Sequence, residues 1–148
     1  MREIVFKAKT KMIVGTYNCG KDDGEWVIGH LYHDTGKYVI CQFEFDRADY
    51  IGYEVDPETI CQFIGIADKR GINIFESSIV KTKYFGKDAK NGINFSDYDI
   101  FKVVYHHCGF CLENENRRFS IPDSKELEVV GNAIDNPELL ESCGGGTE

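Results

Sequence analysis

Between Glu25 and Phe45 the chain offers two segments of alternating apolar residues, Glu25 to His33 and Lys37 to Phe45, joined by Asp34-Thr35-Gly36. Period-two alternation belongs to a half-buried strand. Gly36 supplies the positive φ that a tight reversal needs. A β-hairpin is the local solution, and most of the chain repeats the pattern. Ile4, Phe6 and Ala8 alternate with Val5 and Lys7, and Met12 to Thr16 reads as a second short strand before a turn-rich loop from Asn18 to Gly24. Further on, Ile60 to Ala67, Ser78 to Tyr84, Ile100 to His106, Phe110 to Glu113 and Glu126 to Val130 read as strands, with an exposed loop from Phe85 to Asp97. One helical turn is expected, where Asn136-Pro137-Glu138 places a cap, a proline and an acid in the order a helix start favours. The class is all-β.

Alternation also assigns faces. Val27, Leu31, Val39, Cys41, Phe43 and Phe45 are expected to form the core side of the hairpin. Trp26, Ile28, His30, Tyr32, Tyr38, Ile40 and Gln42 take the other side, mixing aromatic bodies with polar tips. Such a face either packs on another part of the same chain or serves as an interface or ligand platform.

At 148 residues the chain suits one domain or two small ones, and 42% hydrophobic residues with 13% aromatics indicate a globular protein. A formal charge of −8 argues against duplex nucleic acid, whose phosphates call for a basic surface. No apolar run reaches the roughly 20 residues that span a bilayer. The N-terminus lacks a signal-peptide pattern, which points to the cytoplasm. The six cysteines, irregularly spaced, are then expected to stay reduced.

Asp56 to Val80 reads D-P-E-T-I-C-Q-F-I-G-I-A-D-K-R-G-I-N-I-F-E-S-S-I-V. This stretch resembles the signature of the YopX family of phage and prophage proteins: D-P-E-T, Q-Y/F-x-G, D-K-N-G, then I-F/Y-E-G-D-I-V. Three further landmarks carry the same resemblance: the opening M-R-E-I-V-F-K-A-K, Gly24 to Gly29, and Val129 to Leu140. Ser77-Ser78 departs from the family's Gly-Asp. The resemblance implies an SH3-like barrel in the second half and an origin in mobile elements, and it supplies no activity. The expected organisation is an N-terminal β-meander over residues 1–55 packed on a barrel over 56–141, with a disordered tail over 142–148. Asp56, Thr59, Gln62, Gly65, Asp68 and Gly71 are read as structural, closing turns and bridging loops.

Chemistry-bearing clusters are sparse. His106, Cys108 and Cys111 are candidate metal ligands, but zinc usually takes two separated pairs and the second is missing, so no metal or other cofactor is expected. No nucleophile stands in a motif with a base, and no phosphate-cradling glycine loop is present. The expected function is a non-enzymatic, phage-encoded binding protein. It would act on a host or phage protein as an accessory or counter-defence factor, and would self-associate through strand edges into a homo-oligomer. One alternative is an oligomer that sequesters a small anionic nucleotide on Trp26, His30, Tyr32, Tyr38, Arg117 and Arg118. Another is a nucleic-acid-binding SH3-like module.

Overall fold

The computed structural model describes residues 3–11, 23–46, 48–83, 98–115 and 117–144. The expected strand over Met12 to Thr16, the loop over Phe85 to Asp97 and most of the Asn18 to Gly24 loop lie outside them. The strands are β1 (Phe6–Lys9), β2 (Trp26–Asp34), β3 (Lys37–Glu44), β4 (Asp49–Val55), β5 (Cys61–Ala67), β6 (Asn73–Phe75), β7 (Ser78–Lys83), β8 (Tyr98–His106), β9 (Gly109–Glu113), β10 (Arg118–Ser120) and β11 (Glu128–Asn132). One α-helix follows, α1 (Glu138–Gly144), running past Ser142 where a tail was expected. Two antiparallel sheets result, ordered β4-β3-β2-β1-β5-β6 and β10-β9-β8-β7-β11, so the all-β reading holds. The chain packs as two compact units, Met1–Gly65 and Ile66–Glu148, with β5 passing from one into the other.

In the first unit the expected hairpin forms, but its faces differ from the expectation. Asp34 pairs with Lys37, leaving only Thr35 and Gly36 in the turn, both at positive φ (44° and 78°). That is the reversal whose twist matches paired strands. A three-residue turn would have set Leu31 opposite Val39, whereas here Leu31 faces Ile40 and Tyr32 faces Val39. One residue of register turns every β3 side chain over. Ile40 and Tyr38 therefore go inward, and Val39, Cys41 and Phe43 go outward. The core collects Ala8, Val27, Ile40, Tyr53 and Val55, with Phe6, Leu31, Tyr38, Ile51 and Ile60 packed around it.

Backbone bonds also tie the ends of β1 and β4 together, three places apart in the sheet order. Thr10 bridges Val55, Lys11 N donates to Glu54 O (2.9 Å), and Asp56 N donates to Lys9 O (2.9 Å). The D-P-E-T segment locks this closure. Asp56 Oδ1 accepts from Glu58 N (3.0 Å) and caps a 3₁₀ turn over Pro57–Thr59. Thr59 Oγ1 donates to Asp56 O (2.7 Å) and accepts from Lys9 N (2.8 Å), so a buried hydroxyl joins turn to strand.

The second unit buries Ile74, Phe75, Ile79, Val80, Phe101, Val103, Leu112 and Leu127, with Phe119 edge-on to Phe101 at 4.9 Å. Helix α1 lies against β8. A Cβ on Gly131 would stand 2.7 Å from Asn136 Oδ1 and 3.0 Å from Leu139 Cδ1, which explains a glycine in the Val129 to Leu140 landmark. The β6–β7 turn explains the departure at Ser77-Ser78. Ser77 sits at φ 71°, its N–H donating to Val103 O and its carbonyl accepting from Ala133 N, both at 2.8 Å. Ser78 Oγ accepts from Phe75 N (3.0 Å), a bond an aspartate could also make. Left-handed backbone strains a residue bearing Cβ by roughly 1–2 kcal/mol, partly offset by glycine's greater freedom when unfolded. Ser77→Gly is thus expected to stabilise the protein by up to about 1 kcal/mol, raising the melting temperature by roughly 2–4 °C. A lower melting temperature in a calorimetric scan would show that Ser77 relieves its strain locally.

Candidate functional site

Facing residues across a ladder share a side of the sheet, and so do residues two apart on one strand. The pairings place Lys7 and Lys9 of β1, Trp26, Ile28, His30 and Tyr32 of β2, Val39, Cys41 and Phe43 of β3, and Tyr50, Gly52 and Glu54 of β4 on the outward face of the first unit. Large apolar groups there meet solvent: Ile28 is 49% exposed, Tyr32 56%, Phe43 42% and Tyr50 66%. Phe45, in the turn after β3, is 87% exposed and packs edge-on against Phe43 at 4.9 Å, while Phe43 meets Tyr50 at 5.1 Å. Gln42 Nε2 donates to Ile28 O (2.6 Å) and links β2 to β3 beneath the patch. Phe43, Phe45 and Tyr50 form an exposed aromatic cluster, with Ile28 and Tyr32 on the same outward side of the sheet, and exposed apolar groups gathered in this way mark an interaction surface.

Charge is arranged at the patch margins. Lys7 and Lys9 hold their ammonium groups over the half-buried Trp26 ring, at 4.6 and 5.4 Å from its centre. At the far end Lys37 Nζ lies 3.9 Å from Glu54 Oε1. The surface is therefore aromatic at its centre and lysine-bearing at its β1 flank, on a protein whose net charge is −8.

Of the six residues proposed to grip an anionic ligand, Trp26, His30 and Tyr32 share this face. Tyr38 lies on the opposite side, packed on the core and stacked on His33 (4.3 Å, 10° between planes). Arg117 and Arg118 belong to the second unit. Phe43, Phe45 and Tyr50 were missed as surface residues, the first two because an assumed three-residue turn put them in the core. The signal was Thr35-Gly36 itself, since two left-handed residues suffice for the reversal.

The candidate metal ligands lie at the β8–β9 turn, where His107 and Cys108 both take positive φ (48° and 66°). Arg118 of β10 sits across this corner. Its guanidinium donates to Glu113 Oε2 (3.0 and 3.3 Å), and its Nη1 stands 3.0 Å from His106 Nε2. A guanidinium only donates, so that ring nitrogen must accept and the imidazole is neutral. Desolvation and the charges of Arg118 and His107 hold His106 below the ordinary imidazole pKa, against the pull of Glu113. The lone pair a metal would need is already engaged by a cation. Burial pushes the Cys111 thiol up despite Arg118, so it is not a ready thiolate. Among the described residues no cluster of three His, Cys, Asp or Glu is placed to hold a metal ion.

The family signature does its work in the backbone. Buried Asp68 accepts from Arg70 N (2.8 Å) and Ile72 N (2.9 Å) through Oδ1, and from Val129 N (2.8 Å) through Oδ2. Its turn is completed by Gly71 at φ 84°, whose N–H donates to Asp68 O (3.0 Å). Arg70 reaches back to Val129 O (2.8 Å), and Lys69 pairs with Glu128 (3.1 Å). No helix among the described residues is long and apolar enough to cross a membrane. A family model described as YopX protein matches residues 8–141. No curated protein matches the chain.

Proposed function

This chain belongs to the YopX family, and we propose that it is a phage- or prophage-encoded binding protein that acts in the host cytoplasm without catalysing a reaction. It works by gripping another protein, as an accessory or counter-defence factor, and the outward aromatic face of its first sheet is the gripping surface. The observation that carries this reading is the exposure of Ile28, Tyr32, Phe43, Phe45 and Tyr50 on the outward side of the first sheet, the last three in ring contact. Burial of such rings against a complementary surface is the usual source of interface energy. The signature residues Asp56 and Thr59 close the scaffold that presents it, while Asp68, Gly71 and Gly131 serve the second unit.

The nucleotide-sequestering alternative is less favoured by this arrangement. Tyr38 lies on the opposite side of the sheet from Trp26, His30 and Tyr32, and a base stacking on Trp26 would have to displace Lys7 and Lys9 from the ring. Immobilised protein separates the readings. A protein retained by wild type, released by Tyr32→Asp with Tyr50→Asp, and rebinding as a purified component at least about 100-fold more weakly to the variant supports docking. Saturable binding of nucleotides, lost in Trp26→Ala and Arg117→Ala but intact in the tyrosine variant, would replace it with the alternative.

A further inference from the structure

We propose that the partner gripped by this protein presents an arginine-rich segment, and that the tip of the β3–β4 hairpin receives it. The inference rests on the docking reading and names the chemistry of the partner. The tip differs from the rest of the sheet in its pairing. β2 accompanies β3 only from His30 opposite Cys41, whereas β3 and β4 stay paired out to Glu44 opposite Asp49. The other edge of β4 meets β1 at its far end, through Glu54 and Val55. Beyond Cys41 the hairpin is therefore a two-stranded ribbon, a form only marginally stable in water until something covers it. Phe43, Phe45 and Tyr50, the three rings in mutual contact, all belong to this ribbon.

Charge selects what covers it. Glu44, Asp46 and Asp49 are interleaved with the rings, and among the described residues none of the three makes an ion pair. Glu44 and Asp49 stand directly opposite each other in the ladder, and like charges so placed disfavour the pairing. A cation bound beside them removes that penalty. Arg47 is the one cation in the sequence of the tip, and it lies outside the described residues. Alternation puts Glu44 and Asp49 on the opposite side of the ribbon from Phe43 and Tyr50, so the tip offers carboxylates on one side and rings on the other. Guanidinium groups suit both, since they stack flat on aromatic rings and fork onto carboxylates. A compact ammonium matches neither geometry as closely. An apolar partner, an anionic one or another copy of this −8 chain would leave the three carboxylates unanswered.

Fluorescence anisotropy with labelled nona-arginine, at about 150 mM salt to screen long-range attraction, tests this on the full chain. Wild type is expected to bind saturably, and nona-lysine of equal charge at least about 5-fold more weakly. Phe45→Ser with Tyr50→Ser, which keeps the net charge, should weaken nona-arginine binding at least about 10-fold. Glu44→Gln with Asp49→Asn should do the same. Glu138→Gln with Glu141→Gln removes as much charge from exposed positions of α1 and should stay within about 2-fold of wild type. Absence of binding, equal affinity for the two peptides, binding that either tip variant leaves intact, or an equal loss in the α1 variant overturns the proposal. A protein retained by immobilised wild type separates this reading from the one beneath it. Release by the ring variant, with indifference to the acid variant and to competing nona-arginine, keeps the docking face and removes the arginine-rich partner. Indifference to both tip variants and to Tyr32→Asp with Tyr50→Asp removes the docking face as well.

Discussion

Asp68→Ala should destabilise the second unit by about 3–5 kcal/mol, enough to consume much of the 5–15 kcal/mol that holds a typical domain folded. The carboxylate accepts three backbone N–H bonds, from Arg70, Ile72 and Val129, in a side chain with no solvent exposure. Each hydrogen bond to a charged group contributes about 1.5–3 kcal/mol, less where water can reach the freed N–H, and alanine offers no acceptor. Asp68→Asn keeps one oxygen for the turn but turns an N–H₂ toward Val129 N, so about 2 kcal/mol should still be lost. Urea unfolding followed by circular dichroism reads both. The same contact predicts a pH dependence. Burial raises the Asp68 pKa, but the three backbone bonds and the Arg70 charge outweigh it and leave the carboxyl below its ordinary value of 3.8. The unfolded chain therefore binds the proton more readily. Stability from Asp68 is complete above that ordinary value and is lost as pH falls through the lower folded-state value. Alanine at 68 should remove this acid-side sensitivity, and a variant that retains it would place the titration elsewhere.

Gly29→Ala should cost about 3 kcal/mol, at the upper end of what one added methyl does in a packed site. At Gly29 the strand changes partners: Trp26 to Gly29 pair with β1, and His30 onward pairs with β3. A Cβ here would run into the Cys41 carbonyl oxygen, with Ile40 Cγ2 at 3.1 Å behind it. A flexible side chain could yield, but the Cys41 carbonyl is fixed in β3. The expected drop in melting temperature is roughly 6–12 °C. A drop of only a degree or two would mean that β2 and β3 separate freely at this point.

These two residues illustrate what was legible in the sequence. Alternation located the hairpin, and Asp68-Lys69-Arg70-Gly71 announced a tight turn because aspartate and glycine favour one. The partner of Asp68, Val129, lies 61 positions away, and no local pattern connects them. Gly29 stood in the sequence only as the end of the Gly24 to Gly29 landmark, since crowding by a neighbouring carbonyl is a tertiary fact. The sides of β3 were lost to a single residue of turn length. That error hid Phe43 and Phe45 in an imagined core and left the aromatic patch undivined, although Trp26, His30 and Tyr32 had pointed to it. Arg118 was read as a ligand for anions, yet its partners are Glu113 and His106, brought together by the β8–β9–β10 pairing.

In the proposed function, recognition belongs to the face of β2, β3 and β4, and the signature from Asp56 to Val80 holds the fold. Carbene footprinting of the native protein, free against bound to a protein retained by it, addresses this division directly. Labelling of Ile28, Tyr32, Phe43, Phe45 and Tyr50 should fall on binding, while residues 56–80 stay unchanged. Protection centred on residues 56–80, with the five outward residues labelled equally in the free and bound protein, would contradict it.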